Sequence, residues 1–161
     1  MNTTTKKLTH KIAFENTETR FRIGAVDSDG MAGIHDTDVY DLTVEDDDGL
    51  EYWSAGYCSS IAPSTKIGDG FDNSNWRQSV ILRKDYDRAK ELFKNLHVRF
   101  NCITRDKDGD IYAHTCTKDG LIVNKYADLW FLNDPNADYE QIASCGTTKY
   151  WEGSAINRDE I

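Results

Sequence analysis

Asp-Gly recurs five times in this chain, at Asp29-Gly30, Asp48-Gly49, Asp69-Gly70, Asp108-Gly109 and Asp119-Gly120. Glycine enters the left-handed backbone region without a Cβ penalty and aspartate tolerates the neighbouring turn angles. Asp-Gly between apolar runs is therefore a strong hairpin signal. The intervening runs are rich in β-branched and aromatic residues. Residues 11–14, 19–26, 39–44, 51–57, 79–83, 98–104, 110–117 and 121–126 read as strands.

One helix interrupts them, over about 85–96. Asp85 is a plausible N-cap, and Tyr86, Ala89, Phe93 and Leu96 form one apolar stripe. Strands before and after it imply a β-α-β unit. A short second helix is expected over about 135–143, where Asp134-Pro135 reads as N-cap and first helical residue. With 161 residues and no break in composition, the reading is one α+β domain spanning 1–161, mostly antiparallel, with helices on one face of a twisted sheet.

Charge is unevenly spread. The chain has 28 acids against 19 bases, a net charge of −9, yet between Arg22 and Lys66 there is no Lys or Arg. That stretch holds Asp27, Asp29, Asp36, Asp38, Asp41, Glu45, Asp46, Asp47, Asp48 and Glu51. Its field repels phosphates and attracts a basic partner. Asp36, Asp38, Asp41, Glu45, Asp46, Asp47, Asp48 and Glu51 are the expected partner-binding residues, with Trp53 as an aromatic anchor beside Tyr40, Tyr52 and Tyr57. A second aromatic cluster, Trp130, Phe131 and Tyr139, is the next surface to inspect.

The stretch 104–120 suggests metal chemistry. Counted from Asp106, an EF-hand requires Gly and Glu where Ile111 and Thr117 stand, so that loop fails. A looser cation turn through Asp106, Asp108 and Asp110 competes with a solvated hairpin tip. Cys102, His114 and Cys116 share a face only if Gly109 closes a three-residue loop and Cys102 pairs with His114. A two-residue turn puts them on opposite faces. Cys58, Cys102, Cys116 and Cys145 contain no C-x-x-C, and the first residues have no apolar signal core. Reduced thiols, a cytoplasmic location and no metal or cofactor are expected. Cys145, read as following a helix C-terminus, is not expected to be an activated nucleophile.

Phosphate-loop, dinucleotide-binding, zincin and nucleophile-elbow motifs are absent from the sequence. His35-Asp36-Thr37 has the H-x-T form and His114-Thr115-Cys116 is its nearest second copy. This pair resembles the two-histidine phosphoesterase family. The resemblance implies His35 and His114 as acid and base, with Thr37 as hydroxyl support and Cys116 departing from the pattern. The function expected first is different: a small acidic binding protein that engages a basic surface, such as that of a nucleic-acid-binding host protein, as an inhibitor or nucleic-acid mimic. In size and composition it has the texture of a phage accessory protein. The alternative is a two-histidine phosphoesterase or metal-dependent hydrolase.

Overall fold

A computed structural model of the chain describes residues 5–55 and 64–161. The fold is α+β, mostly antiparallel, with one main helix, and it comprises two compact units, Met1–Lys84 and Asp85–Ile161. In the first, α1 (His10–Phe14) precedes β1 (Ile23–Val26), β2 (Ala32–His35), β3 (Thr43–Asp47), β4 (Leu50–Ser54), β5 (Ser64–Gly68), a 3-10 turn (Trp76–Gln78) and β6 (Ile81–Leu82). Its sheet has the order β5-β2-β1-β6, with β3-β4 as a separate hairpin. The second runs α2 (Arg83–Asn95, beginning in the last residues of the first unit), β7 (Cys102–Arg105), β8 (Asp110–His114), β9 (Leu121–Asn124), β10 (Leu129–Leu132), β11 (Tyr139–Ser144), a 3-10 turn (Trp151–Gly153) and β12 (Ile156–Asn157). Its sheet has the order β11-β8-β7-β12, with β9-β10 as the separate hairpin.

Three of the five Asp-Gly pairs turn hairpins, with two geometries. Asp69-Gly70 instead follows β5 and Asp119-Gly120 lies in a 3-10 turn before β9, neither joining paired strands. Asp48 and Gly49 both have positive φ, 51° and 84°, which is the two-residue turn whose twist matches the flanking strands. Gly30 (φ 87°) and Gly109 (φ 99°) instead close three-residue loops, with Asp27 N–H on Met31 O and Asp106 N–H on Asp110 O. Cys102 accordingly pairs with His114. A Cβ on Gly109 would overlap the Gly146 backbone as well as strain φ. Gly109→Ala is therefore expected to destabilise the fold by at least about 2 kcal/mol in urea denaturation, against a few tenths for an exposed neighbour such as Lys107→Ala.

Several local expectations are corrected. Residues 11–14 lie in α1, where Thr9 Oγ1 accepts the Ile12 N–H at 3.3 Å and caps the turn. The helix expected over 135–143 is a turn followed by β11. Asp134 Oδ1 accepts the Asn136 N–H at 2.9 Å, so the acid builds a turn around Pro135, and β8 then recruits the residues that follow. Asp85 does not cap α2; it lies in the first turn and pairs through both oxygens with buried Arg105, at 2.8 and 2.6 Å. No β-α-β unit forms across α2, because β6 pairs with β1 while β7 pairs with β8 and β12. Tyr57 and Cys58 lie outside the described residues.

The two units repeat one plan. Lys11, Phe14, Asn16, Arg20 and Phe21 recur, at one constant separation, as Lys90, Phe93, Asn95, Arg99 and Phe100; Asp27, Asp29, Gly30 and His35 recur as Asp106, Asp108, Gly109 and His114. After β4 and β10, Trp76-x-x-Ser79-x-Ile81-x-Arg83 returns as Trp151-x-x-Ser154-x-Ile156-x-Arg158. Their contacts return too. Ser79 Oγ bridges the Val26 N–H and C=O at 2.8 and 3.1 Å, as Ser154 Oγ bridges those of Arg105, both at 2.9 Å. Trp53 meets Trp76 edge-on at 5.8 Å, as Trp130 meets Trp151 at 6.3 Å.

The arginines show why this plan holds. Each helix leaves carbonyls without an intrahelical donor at its C-terminal end. Arg83 donates to Phe14, Thr17, Glu18 and Phe21 carbonyls while stacking on Phe14; Arg158 donates to Phe93, Leu96, His97 and Phe100 while stacking on Phe93. One planar cation, directly after β6 or β12, thus ties the end of each unit's last strand to the exit of its first helix. In the second unit the core beneath α2 is Ala89, Phe93, Ile103, Ile111 and Ile156. Burying each of the larger side chains contributes about 1.5–3 kcal/mol.

Candidate functional site

Alternation along β8 sends Ile111 and Ala113 to one face and Tyr112 and His114 to the other. Cross-strand pairing sets Thr104 beside Tyr112 on β7 and Tyr139 beside His114 on β11. Tyr112, His114 and Tyr139, with Leu129, Trp130, Phe131 and Leu132 from β10 and Asp106 from the head of the β7-β8 loop, line a cavity of about 280 Å³. Three of its rings cluster: Tyr112 and Tyr139 edge to face at 5.8 Å, and His114 and Tyr139 tilted by 31° at 6.2 Å.

Two polar groups stand among these rings. Asp106 Oδ1 accepts the Trp130 backbone N–H at 2.9 Å. Burial, with some help from Asp108 and Asp110, pushes its pKa up to about 6 despite that hydrogen bond. The adjacent Lys107 pairs with Asp128, at 2.7 Å. His114 is 3% exposed and shares a hydrogen bond of 2.8 Å between Nε2 and Thr104 Oγ1, while Nδ1 has no partner. Burial lowers its pKa to about 4, so the ring is neutral at pH 7.

The first unit separates framework from site. There Asp27 accepts the Trp53 N–H at 2.8 Å, and His35 is equally buried, with its pKa lowered to about 4 and Nδ1 unpartnered. The Asp-to-Trp bond and the buried histidine therefore belong to the shared plan. The rings do not: Gly33, Ser54 and Ser64 stand where the second unit has Tyr112, Phe131 and Tyr139. Those three aromatics distinguish the cavity.

His35 and His114, the expected acid and base, occupy the same position in the two units, each at the end of its strand. Thr37 and Cys116 lie in bends beyond those strand ends rather than on the strands. Cys102 does face His114, but it is fully buried, its thiol pKa is pushed up by burial, and its Sγ donates to the Ile103 carbonyl. It serves as a small apolar side chain. Among the described residues no His, Cys, Asp or Glu cluster could hold a metal ion. Asp108 Oδ1 accepts the Asp110 N–H at 3.0 Å, completing a turn. Cys145 is exposed and follows β11, not a helix, so the helix-terminus argument about its thiol does not apply.

Several acids of the base-free stretch are locally engaged. Asp36 lies 3.6 Å from Arg20, Asp38 3.9 Å from Arg22, and Glu51 pairs with Arg77. Glu45 accepts from Tyr52 at 3.2 Å, and Asp46 accepts the Gly49 N–H at 3.1 Å. Asp41 is exposed, and Asp47 and Asp48 sit exposed at the tip of the β3-β4 hairpin. Trp53, expected as a surface anchor, is buried at 8% exposure against Trp76 because its strand turns that face inward. Tyr112 was the ring that sequence reasoning did not single out; the signal was its position two residues before His114, on the same strand face. Compared with known proteins, the chain matches no family model, no curated protein and no solved structure. Among the described residues, no helix is long and apolar enough to cross a membrane.

Proposed function

We propose that the chain works in the cytoplasm as an acidic binding protein for a basic partner, and that the aromatic cavity of the second unit is its recognition site. The observation that carries this reading is a cavity walled by Tyr112, Trp130, Phe131 and Tyr139 around a buried carboxylate, Asp106. A mostly apolar wall with a few placed polar groups is the usual form of a binding pocket. Phe131 and Tyr139 are 50% and 57% exposed, so a partner can reach them without unfolding anything. The net charge of −9 and the acidic hairpin tip favour encounter with a basic surface. Occupation of a nucleic-acid-binding groove, as by a phage-type inhibitor, is the most concrete form of that encounter. The two-histidine hydrolase is the weaker reading, since duplication of one framework accounts for both histidines without a shared substrate.

The test uses a partner recovered from the native host by pull-down and then titrated as a purified protein at low and high salt. Tyr139→Ala and Phe131→Ala are expected to weaken binding at least tenfold by speeding dissociation. Neutralising Asp47 and Asp48 to Asn should mainly slow association, by a few-fold, at low salt. Cavity variants that bind as tightly as the unaltered protein would overturn the proposal.

A further inference from the structure

We infer that the cavity of the second unit receives the guanidinium of an arginine side chain presented by the partner. This rests on the reading of that cavity as the recognition site and adds the chemistry of what enters it. Three observations converge. Tyr112, Trp130, Phe131 and Tyr139 supply aromatic faces, whose negative quadrupoles attract a cation. Asp106 supplies a carboxylate that no Lys or Arg of the described residues pairs with, its neighbour Lys107 being held by Asp128. The cavity opens at Phe131 and Tyr139, which are 50% and 57% exposed, so a flat side chain can enter it.

A guanidinium answers all three at once. It is planar and weakly hydrated, stacks on aromatic rings, and carries five N–H donors in a fixed fork. One edge can donate to Asp106 while the plane lies against an aromatic ring. An ammonium group is more strongly hydrated and does not stack. A nucleotide would bring phosphate toward Asp106, Asp108 and Asp110 on a chain of charge −9. The first unit is the internal contrast: it keeps Asp27 and His35 but has Gly33, Ser54 and Ser64 in place of the rings. It lacks the stacking surface and is assigned no such ligand.

The experiment titrates the full chain with three capped tripeptides that differ only at the central residue, arginine, citrulline or lysine, and with adenosine. Binding is read by NMR shifts of the Trp130 indole and the Tyr139 ring. The arginine peptide is expected to bind, with citrulline at least tenfold weaker because it keeps the shape and loses the charge, and lysine weaker by several-fold. Asp106→Asn, which retains an oxygen for the Trp130 N–H, should weaken the arginine peptide about tenfold. Tyr139→Leu, at a position 57% exposed, should do the same. Citrulline binding as well as arginine, or adenosine binding more tightly than either, overturns the inference. If no peptide binds while Tyr139→Ala still loses the partner, the arginine assignment falls and the recognition site stands. If Tyr139→Ala also leaves partner binding unchanged, both fall.

Discussion

Acidification from pH 7 toward pH 4 is expected to unfold the protein, chiefly because two buried histidines must gain protons. His35 and His114 both have folded pKa values of about 4, against 6.5 for an exposed imidazole, and burial is the cause in each case. Between those values the unfolded chain binds more protons than the folded one. The associated stability is fully present above pH 6.5 and is lost as pH falls toward 4. A shift of this size corresponds to about 3 kcal/mol per histidine, which for two is of the order of a small domain's whole stability. Asp106 and Asp27, whose pKa values are raised by burial, oppose this. Their folded forms hold protons more tightly, so their contribution improves as pH falls toward the ordinary carboxylate range. Asp106 is buried at 6% exposure, so its offset stands undiscounted and cancels much of one histidine's contribution. The net loss is smaller than the two histidines alone would give. The measurement is urea denaturation at pH 7 and pH 4.5 for the parent, His35→Asn, His114→Asn and the double variant. The loss of stability between the two pH values should shrink with each substitution, and an unchanged loss in the double variant would sink the account.

Replacing either framework arginine should also destabilise the fold. Arg83→Met and Arg158→Met each remove a cation that donates to four carbonyls, and an aliphatic side chain leaves those acceptors without their donors. An unpaired buried polar group costs about 1–3 kcal/mol. The Phe14 and Phe21 bonds of Arg83 are buried, so about 3–5 kcal/mol is expected for Arg83→Met in urea denaturation. For Arg158→Met, whose acceptors are part-buried or exposed and can be reached by water, about 1–3 kcal/mol is expected. Arg→Lys should recover little, because a point ammonium cannot span a set of acceptors that a planar fork reaches. A loss below about 1 kcal/mol would show that water replaces the guanidinium and that the clamp is dispensable.

Much of the local structure is legible in the residues. The stripe Tyr86, Ala89, Phe93 and Leu96 locates α2, and Asp-Gly locates the β3-β4 and β7-β8 turns; Asp-Gly fits both registers of the second turn, and only the strand pairing sets Cys102 opposite His114. What escapes has identifiable reasons. The five residues of α1 are too few to show a helical period, and Ile12 and Phe14 mimic a strand. Asp134-Pro135 is equally good chemistry for a helix start and for a turn, and only pairing with β8 decides. In β2, Gly33 and Ala32 carry too little side chain to read as a strand.

The repeat is hidden because its shared residues are scattered, and several of them, such as Asp27, Ser79 and Arg83, address backbone groups rather than forming an apolar pattern. The two copies also differ in the lengths of their arms. Of the site, Trp130, Phe131 and Tyr139 are visible in advance as an aromatic cluster, whereas the separate roles of Asp106 and His114 appear only when the two units are compared.

The paired indoles have an optical consequence. All four tryptophans of the chain stand in the couples Trp53–Trp76 and Trp130–Trp151, each edge-on and separated by about 6 Å. Each unit therefore carries its own coupled chromophore, and near-ultraviolet circular dichroism of the whole chain sums two similar signals. Substituting Trp76 by Phe silences one couple and leaves the other as a dedicated reporter on the ring that walls the cavity.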